Sequence, residues 1–121
     1  IAGTRGWLCP GDNEYKPSED NKIYIREAGR LKSSLKKASV LLENISVSDR
    51  GNLYVFMHYP PFNQQKDTLF TQHIESSGAT HCYYGHIHGS GYRYAIDGIF
   101  EGIDIRLVSC DYLEFVPLKI F

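Results

Sequence analysis

Leu53-Tyr54-Val55-Phe56-Met57-His58-Tyr59-Pro60-Pro61 is an apolar and aromatic run broken off by two prolines. Five such residues in succession read as a short strand buried on both faces. Proline cannot donate to a ladder, so the strand stops there and His58 stands at its C-terminal end. In open α/β sheets that end is where ligands bind. Further on, residues 67–77 read as a helix with Asp67 as cap and Gly78 as stop. Leu69, Phe70, His73 and Ile74 form its inner face, where His73 reads as a packed or surface histidine. Thr80-His81-Cys82-Tyr83-Tyr84 is the next strand, and it leads straight into Gly85-His86-Ile87-His88-Gly89. Strand, helix and strand make a βαβ unit, which brings histidines from both strand ends to one edge of a sheet.

The His86–His88 pair has its own geometry. In extended backbone, residues i and i+2 project to the same side with Cα atoms roughly 6–7 Å apart. Two imidazoles at that spacing reach one metal ion, or two ions about 3.5–4 Å apart. Gly85 and Gly89 let the chain bend around them. Two other His-x-His architectures fail on the flanks. A cupin-type site wants a glutamate four or five residues after the pair, where Tyr92 and Arg93 stand. A metallo-β-lactamase pattern continues to Asp-His, where Gly89-Ser90-Gly91 follow.

Upstream, Ile1-Ala2-Gly3-Thr4 reads as a strand, and its start without methionine suggests a fragment or a processed chain. Arg5 at that strand's end reads first as an arginine that caps carbonyls or pairs a carboxylate; its guanidinium fork also makes it a candidate contact for an anionic substrate. Trp7 to Pro17 is loop chemistry. Ser18-Glu19-Asp20-Asn21 then opens a helix, with capping side chains and negative charge at its positive end. Tyr24, Ala28, Leu31, Leu35, Ala38, Leu42 and Ile45 make one stripe along it, and Arg26, Arg30, Lys32, Lys36 and Lys37 leave the rest basic. That is a helix laid on a sheet with a solvated outer face. After the histidine pair, residues 91–95, 103–109 and 112–115 read as meandering antiparallel strands, with Asp97-Gly98 as a hairpin turn.

The bulk numbers confine the possibilities. With 121 residues the chain is at most one ordinary domain, read as a single partial domain over 1–121. Hydrophobic content of 42% and charged content of 22% belong to a globular protein. A net charge of −1 gives no reason to expect nucleic acid or an anionic membrane as partner. No apolar run approaches the roughly 20 residues of a spanning helix. Cys9, Cys82 and Cys110 are an odd number without CxxC spacing, which suggests free thiols in a reducing, cytoplasmic setting. Asn44-Ile45-Ser46 matches a glycosylation acceptor but falls in the helical pattern.

A strand ending in His58-Tyr59-Pro60-Pro61, a helix, and a strand ending in Gly85-His86-Ile87-His88 resemble the later motifs of the calcineurin-like metallophosphoesterase superfamily. Residues 1–7 and Val108-Ser109-Cys110-Asp111-Tyr112-Leu113 look like a bacterial phosphohydrolase branch of it, related to serine/threonine phosphatases. The resemblance implies an α/β fold, α+β in part: the C-terminal half of an αββα sandwich, a βαβ unit followed by antiparallel strands. It implies that His58 and His86 bind one metal and His88 the other, the metals being Mn, Fe, Zn or Ni. It implies a phosphate ester as substrate, hydrolysed by metal-activated hydroxide, with Arg5 as a candidate substrate contact. The family's earlier Asp-x-His, Gly-Asp-x-x-Asp and Gly-Asn-His motifs do not occur here. The two divalent ions therefore require ligands from a missing N-terminal half of the domain. The chain by itself holds no catalytic residue and is expected to be inert. The alternative is a non-catalytic metal-binding or interaction module that keeps the fold.

Overall fold

The computed structural model describes residues 1–64 and 67–120. Gln65, Lys66 and Phe121 lie outside the described residues. Among the described residues five strands and two α-helices follow in the order β1 (Ala2–Thr4), α1 (Pro17–Glu43), β2 (Tyr54–Met57), α2 (Leu69–Ser76), β3 (His81–Tyr84), β4 (Gly98–Phe100) and β5 (Ile103–Leu107). They form one mixed sheet in the order β1-β2-β3-β5-β4. Each neighbouring pair is parallel except β4 with β5. The chain is thus a mixed α/β protein, and the βαβ unit β2-α2-β3 is present as the residue pattern predicts.

Register explains which side chains meet. Ala2, Val55, Cys82 and Ile105 lie in line across the sheet, and so do Met57, Tyr84 and Leu107. These residues face the helices and are buried with Tyr24, Leu31 and Leu35 of α1 and Phe70 and Ile74 of α2. Removing one such side chain from water is worth about 1.5–3 kcal/mol, so this single layer of contacts holds both helices to the sheet. At Gly3 the sheet edge admits no side chain, because a Cβ would stand 2.3 Å from the Phe56 carbonyl oxygen. The Ser34 hydroxyl accepts the Gly3 N–H at 3.1 Å and ties α1 to that outer edge.

Several expectations change. The strand 53–57 is not buried on both faces: Leu53, Val55 and Met57 are buried while Tyr54 and Phe56 are partly exposed. The second face carries a ring ladder, with Tyr54 stacked on His81 at 4.8 Å and Phe56 on Tyr83 at 5.2 Å. Residues 91–95 are not a strand; Gly89–Tyr94 form a 3₁₀ helix. Residues 112–115 are turns, with Glu114 and Phe115 both at positive φ. The β4–β5 hairpin turns at Glu101-Gly102 rather than at Asp97-Gly98, whose glycine begins β4. Periodicity misleads here because these segments are too short to hold two full alternations.

Helix ends shift as well. Thr68, not Asp67, caps α2: its hydroxyl accepts the Thr71 N–H, and the Thr71 hydroxyl accepts the Thr68 N–H. The start of α1 has Lys16 as cap without a side-chain bond and Pro17 in its first turn. Asp20 instead accepts the Lys16 N–H at 2.7 Å and the Trp7 indole N–H at 2.9 Å. The helix ends at Glu43, so Asn44-Ile45-Ser46 lies beyond it and Ile45 is exposed. Among the described residues no helix is long and apolar enough to cross a membrane.

Candidate metal centre

The C-terminal edge of the parallel strands gathers the histidines by register alone. Met57 pairs with Tyr84, so His58 lies one residue past the ladder on β2 and His86 two past it on β3. The Arg5 carbonyl accepts the N–H groups of His58 (3.1 Å) and Tyr59 (2.9 Å), and the His58 carbonyl accepts the Gly85 N–H (3.1 Å). These bonds carry the sheet order one step beyond its strands and fix where both imidazoles start. Gly6 turns the chain away from β1 at φ 74°.

His86 Nδ1 lies 3.3 Å from His58 Nε2. Two nitrogens on one tetrahedral ion, each about 2.0–2.1 Å from it, stand about 3.3–3.4 Å apart. The pair therefore has the bite of one divalent ion; as neutral rings the two also suit an N–H···N contact. The His86 ring lies 4.1 Å from the Tyr59 ring, which meets Trp7 at 5.2 Å. Desolvation, then the His58 and His88 imidazoles, hold His86 below its ordinary pKa and favour the neutral form that ligates metal.

His86 itself is backbone-strained, with φ 70°. The Gly85 carbonyl accepts the Ile87 N–H at 2.8 Å across it, a three-residue turn whose positive-φ form is the rare and costly one. Strain of this kind persists where surroundings over-determine it, and it gathers at ligand sites.

His88 points elsewhere. Its Nδ1 lies 2.7 Å from Asp111 Oδ1, in the turn after β5. Sequence reading gave Asp111 no role. Its signal was register: Tyr84 pairs with Leu107, and His88 and Asp111 each lie four residues further on. The Tyr92 hydroxyl, the His88 ring and the Gly89 N–H hold the Asp111 carboxyl well below the usual carboxylate range. Among the described residues no three His, Cys, Asp or Glu side chains converge on one point.

Arg5 is placed beside this centre, not in it. Its guanidinium lies 4.5 Å above the Trp7 ring and 3.9 Å from the carboxylate of Glu27. Glu27 is buried on α1 and also accepts the Thr4 hydroxyl at 2.8 Å and Arg30 at 2.7 Å. Burial alone would raise its carboxyl; Thr4, Arg30 and Arg5 outweigh that and leave it depressed. Next to His86 opens a cleft of about 430 Å³. Trp7, Tyr59, Phe62 and Tyr94 give it ring walls, and Asp12 and Glu14 add carboxylates. The Asn63 amide donates to the Pro10 carbonyl at 2.5 Å and joins the two loops that shape it. No family model, curated protein or solved structure matches this chain.

Proposed function

We propose that this chain is the histidine-bearing, C-terminal portion of a dinuclear metal-dependent phosphoesterase built as an αββα sandwich. One observation carries the reading: His58 Nε2 and His86 Nδ1 stand at the bite of a single ion, at the edge where parallel strands end. His88, held apart by Asp111 on the same edge, suits a neighbouring ion. Imidazole donors fit Mn, Fe, Zn or Ni. Two such ions, when bound, supply the hydroxide and the charge stabilisation for hydrolysis of a phosphate ester.

The chain's own residues orient and position. Arg5, through its carbonyl, and Gly85, through its N–H, fix the two imidazoles against β1 and β3. Tyr59 stacks on His86 and limits its rotation. The ring-walled cleft beside His86 is where the alcohol portion of an ester would lie.

Three neutral imidazoles offset none of the four positive charges of two divalent ions, so carboxylates from further residues are required for tight binding. The chain alone is expected to bind metal weakly and to leave p-nitrophenyl phosphate intact with Mn²⁺ present. A longer polypeptide that adds those carboxylates is expected to hydrolyse it, and His58→Ala to lower its kcat/KM by about 100-fold or more. Hydrolysis by the chain alone that disappears in His58→Ala would refute the expected inertness. Metal binding without hydrolysis in the longer protein would select the non-catalytic module instead.

A further inference from the structure

We propose that Asp111 is a positioning residue, whose carboxylate holds the Nδ1–H of His88 and so leaves Nε2 as the bare lone pair facing outward. A carboxylate can only accept, and Nδ1 of His88 is 2.7 Å from it; Nδ1 must therefore be the protonated nitrogen. In the neutral ring the other nitrogen is then unprotonated and free to ligate. The His88 side chain is 55% exposed, as a ring that offers a lone pair to a ligand must be.

The carboxylate is itself fixed from several directions, which an incidental surface ion pair is not. Its Oδ2 accepts the Gly89 N–H at 3.3 Å and its Oδ1 accepts the Tyr112 N–H at 3.1 Å. Tyr92 packs edge-on against Tyr112 at 5.1 Å, and the Tyr112 hydroxyl donates to Asp97 at 2.9 Å. The turn bearing Asp111 is closed by the Leu113 N–H to the Ser109 carbonyl at 3.0 Å and the Phe115 N–H to the Cys110 carbonyl at 2.8 Å. Both partners hang from paired strands at equal distance from the ladder. This is the arrangement by which a carboxylate fixes tautomer and ring orientation of a metal-binding histidine. That the ligand is a metal ion rests on the proposed function; the tautomer does not.

The test is long-range ¹H–¹⁵N correlation of histidine-labelled, metal-free chain at pH 8, with His88 assigned by His88→Gln. His88 is expected as the Nδ1–H tautomer. Asp111→Asn, which keeps an acceptor oxygen, is expected to retain it, and Asp111→Ala to lose it while the His81 signals stay put. An Nε2–H tautomer in the unsubstituted chain overturns the proposal even if Asp111→Ala does not fold. So does an unchanged tautomer in folded Asp111→Ala. Zn²⁺ titration then reads the metal part: Asp111→Ala should weaken the His88-dependent ion about 10–100-fold, and Asp111→Asn less. Equal affinity in all three proteins overturns the positioning of a ligand. If the unsubstituted chain and the longer protein both bind no ion, the phosphoesterase reading fails, and the tautomer result alone decides what Asp111 does.

Discussion

His86 is the one histidine of the edge held at positive φ, and its two costs are separable. An L-residue in that region is less stable by about 1–2 kcal/mol, whereas glycine occupies it freely but loses more chain entropy on folding. His86→Gly and His86→Ala remove the same imidazole. His86→Gly is expected to be the more stable of the two by about 1 kcal/mol in urea unfolding, and both to lose the ion proposed to be shared with His58. Equal midpoints would mean that the backbone there is unstrained. Acid reads the second cost. The folded ring resists protonation because it is desolvated and faces His58 and His88, while the unfolded ring titrates near its ordinary 6.5. Below that pH the unfolded state binds more protons, so this contribution to stability is present at higher pH and lost on acidification. Going from pH 7.5 to 5.5 should therefore shift the urea midpoint of the unsubstituted chain down by more than that of His86→Ala. The three histidines were legible in the sequence because they follow strands that proline and glycine terminate. The strain at His86 was not, since nothing in Gly-His-x-His distinguishes a bend from an extended run.

Elements were legible where one periodicity ran long enough. The α1 stripe needed only spacing, and Tyr24, Ala28, Leu31, Leu35 and Ala38 are indeed buried. What spacing missed is the carboxylate buried on the same face, Glu27, because a glutamate in a basic helix reads as solvated. Besides Arg26 and Arg30 on its own helix, two of its partners lie far off in sequence: the hydroxyl of Thr4 on β1 and the guanidinium of Arg5 just past that strand's end. Hydrogen bonds to a charged group contribute roughly 1.5–3 kcal/mol, and the arginines around Glu27 are about half exposed, which screens their share. Glu27→Ala should cost about 2 kcal/mol in urea unfolding. It should also loosen the Arg5 carbonyl that holds His58, seen as faster exchange of the His58 and Tyr59 amides. Unchanged exchange would show that β1 is fixed without α1. At α2 the neighbouring Asp67 obscured the true cap. Thr68→Ala removes a hydroxyl that accepts from Thr71 and donates to the Pro61 carbonyl. A loss of about 1–2 kcal/mol is expected there, against a few tenths for Asp67→Ala, whose carboxylate accepts from the exposed Gln72 side chain.

At the scale of the molecule, the unbroken apolarity of residues 53–57 meets a sheet whose helices lie on one face. The alternate residues of that run, Tyr54 and Phe56, are left partly exposed beside His81 and Tyr83. A half-solvated strand ordinarily alternates apolar with polar, whereas strands covered on both sides do not. The proposed sandwich accounts for the mismatch, since a second layer would cover this ring ladder. Phe56→Lys separates the two possibilities. In the chain alone the substitution removes one stacked ring from a partly exposed site, a loss of about 0.5–1.5 kcal/mol. Under a second layer the same ammonium would be buried without a partner, and the cost would rise to about 3–5 kcal/mol. Urea midpoints of both proteins, each with and without the substitution, measure the difference. A larger loss in the longer protein supports two layers. The same small loss in both would mean that the ring ladder faces water in the whole protein, and would remove the architecture on which the proposed two-ion centre depends.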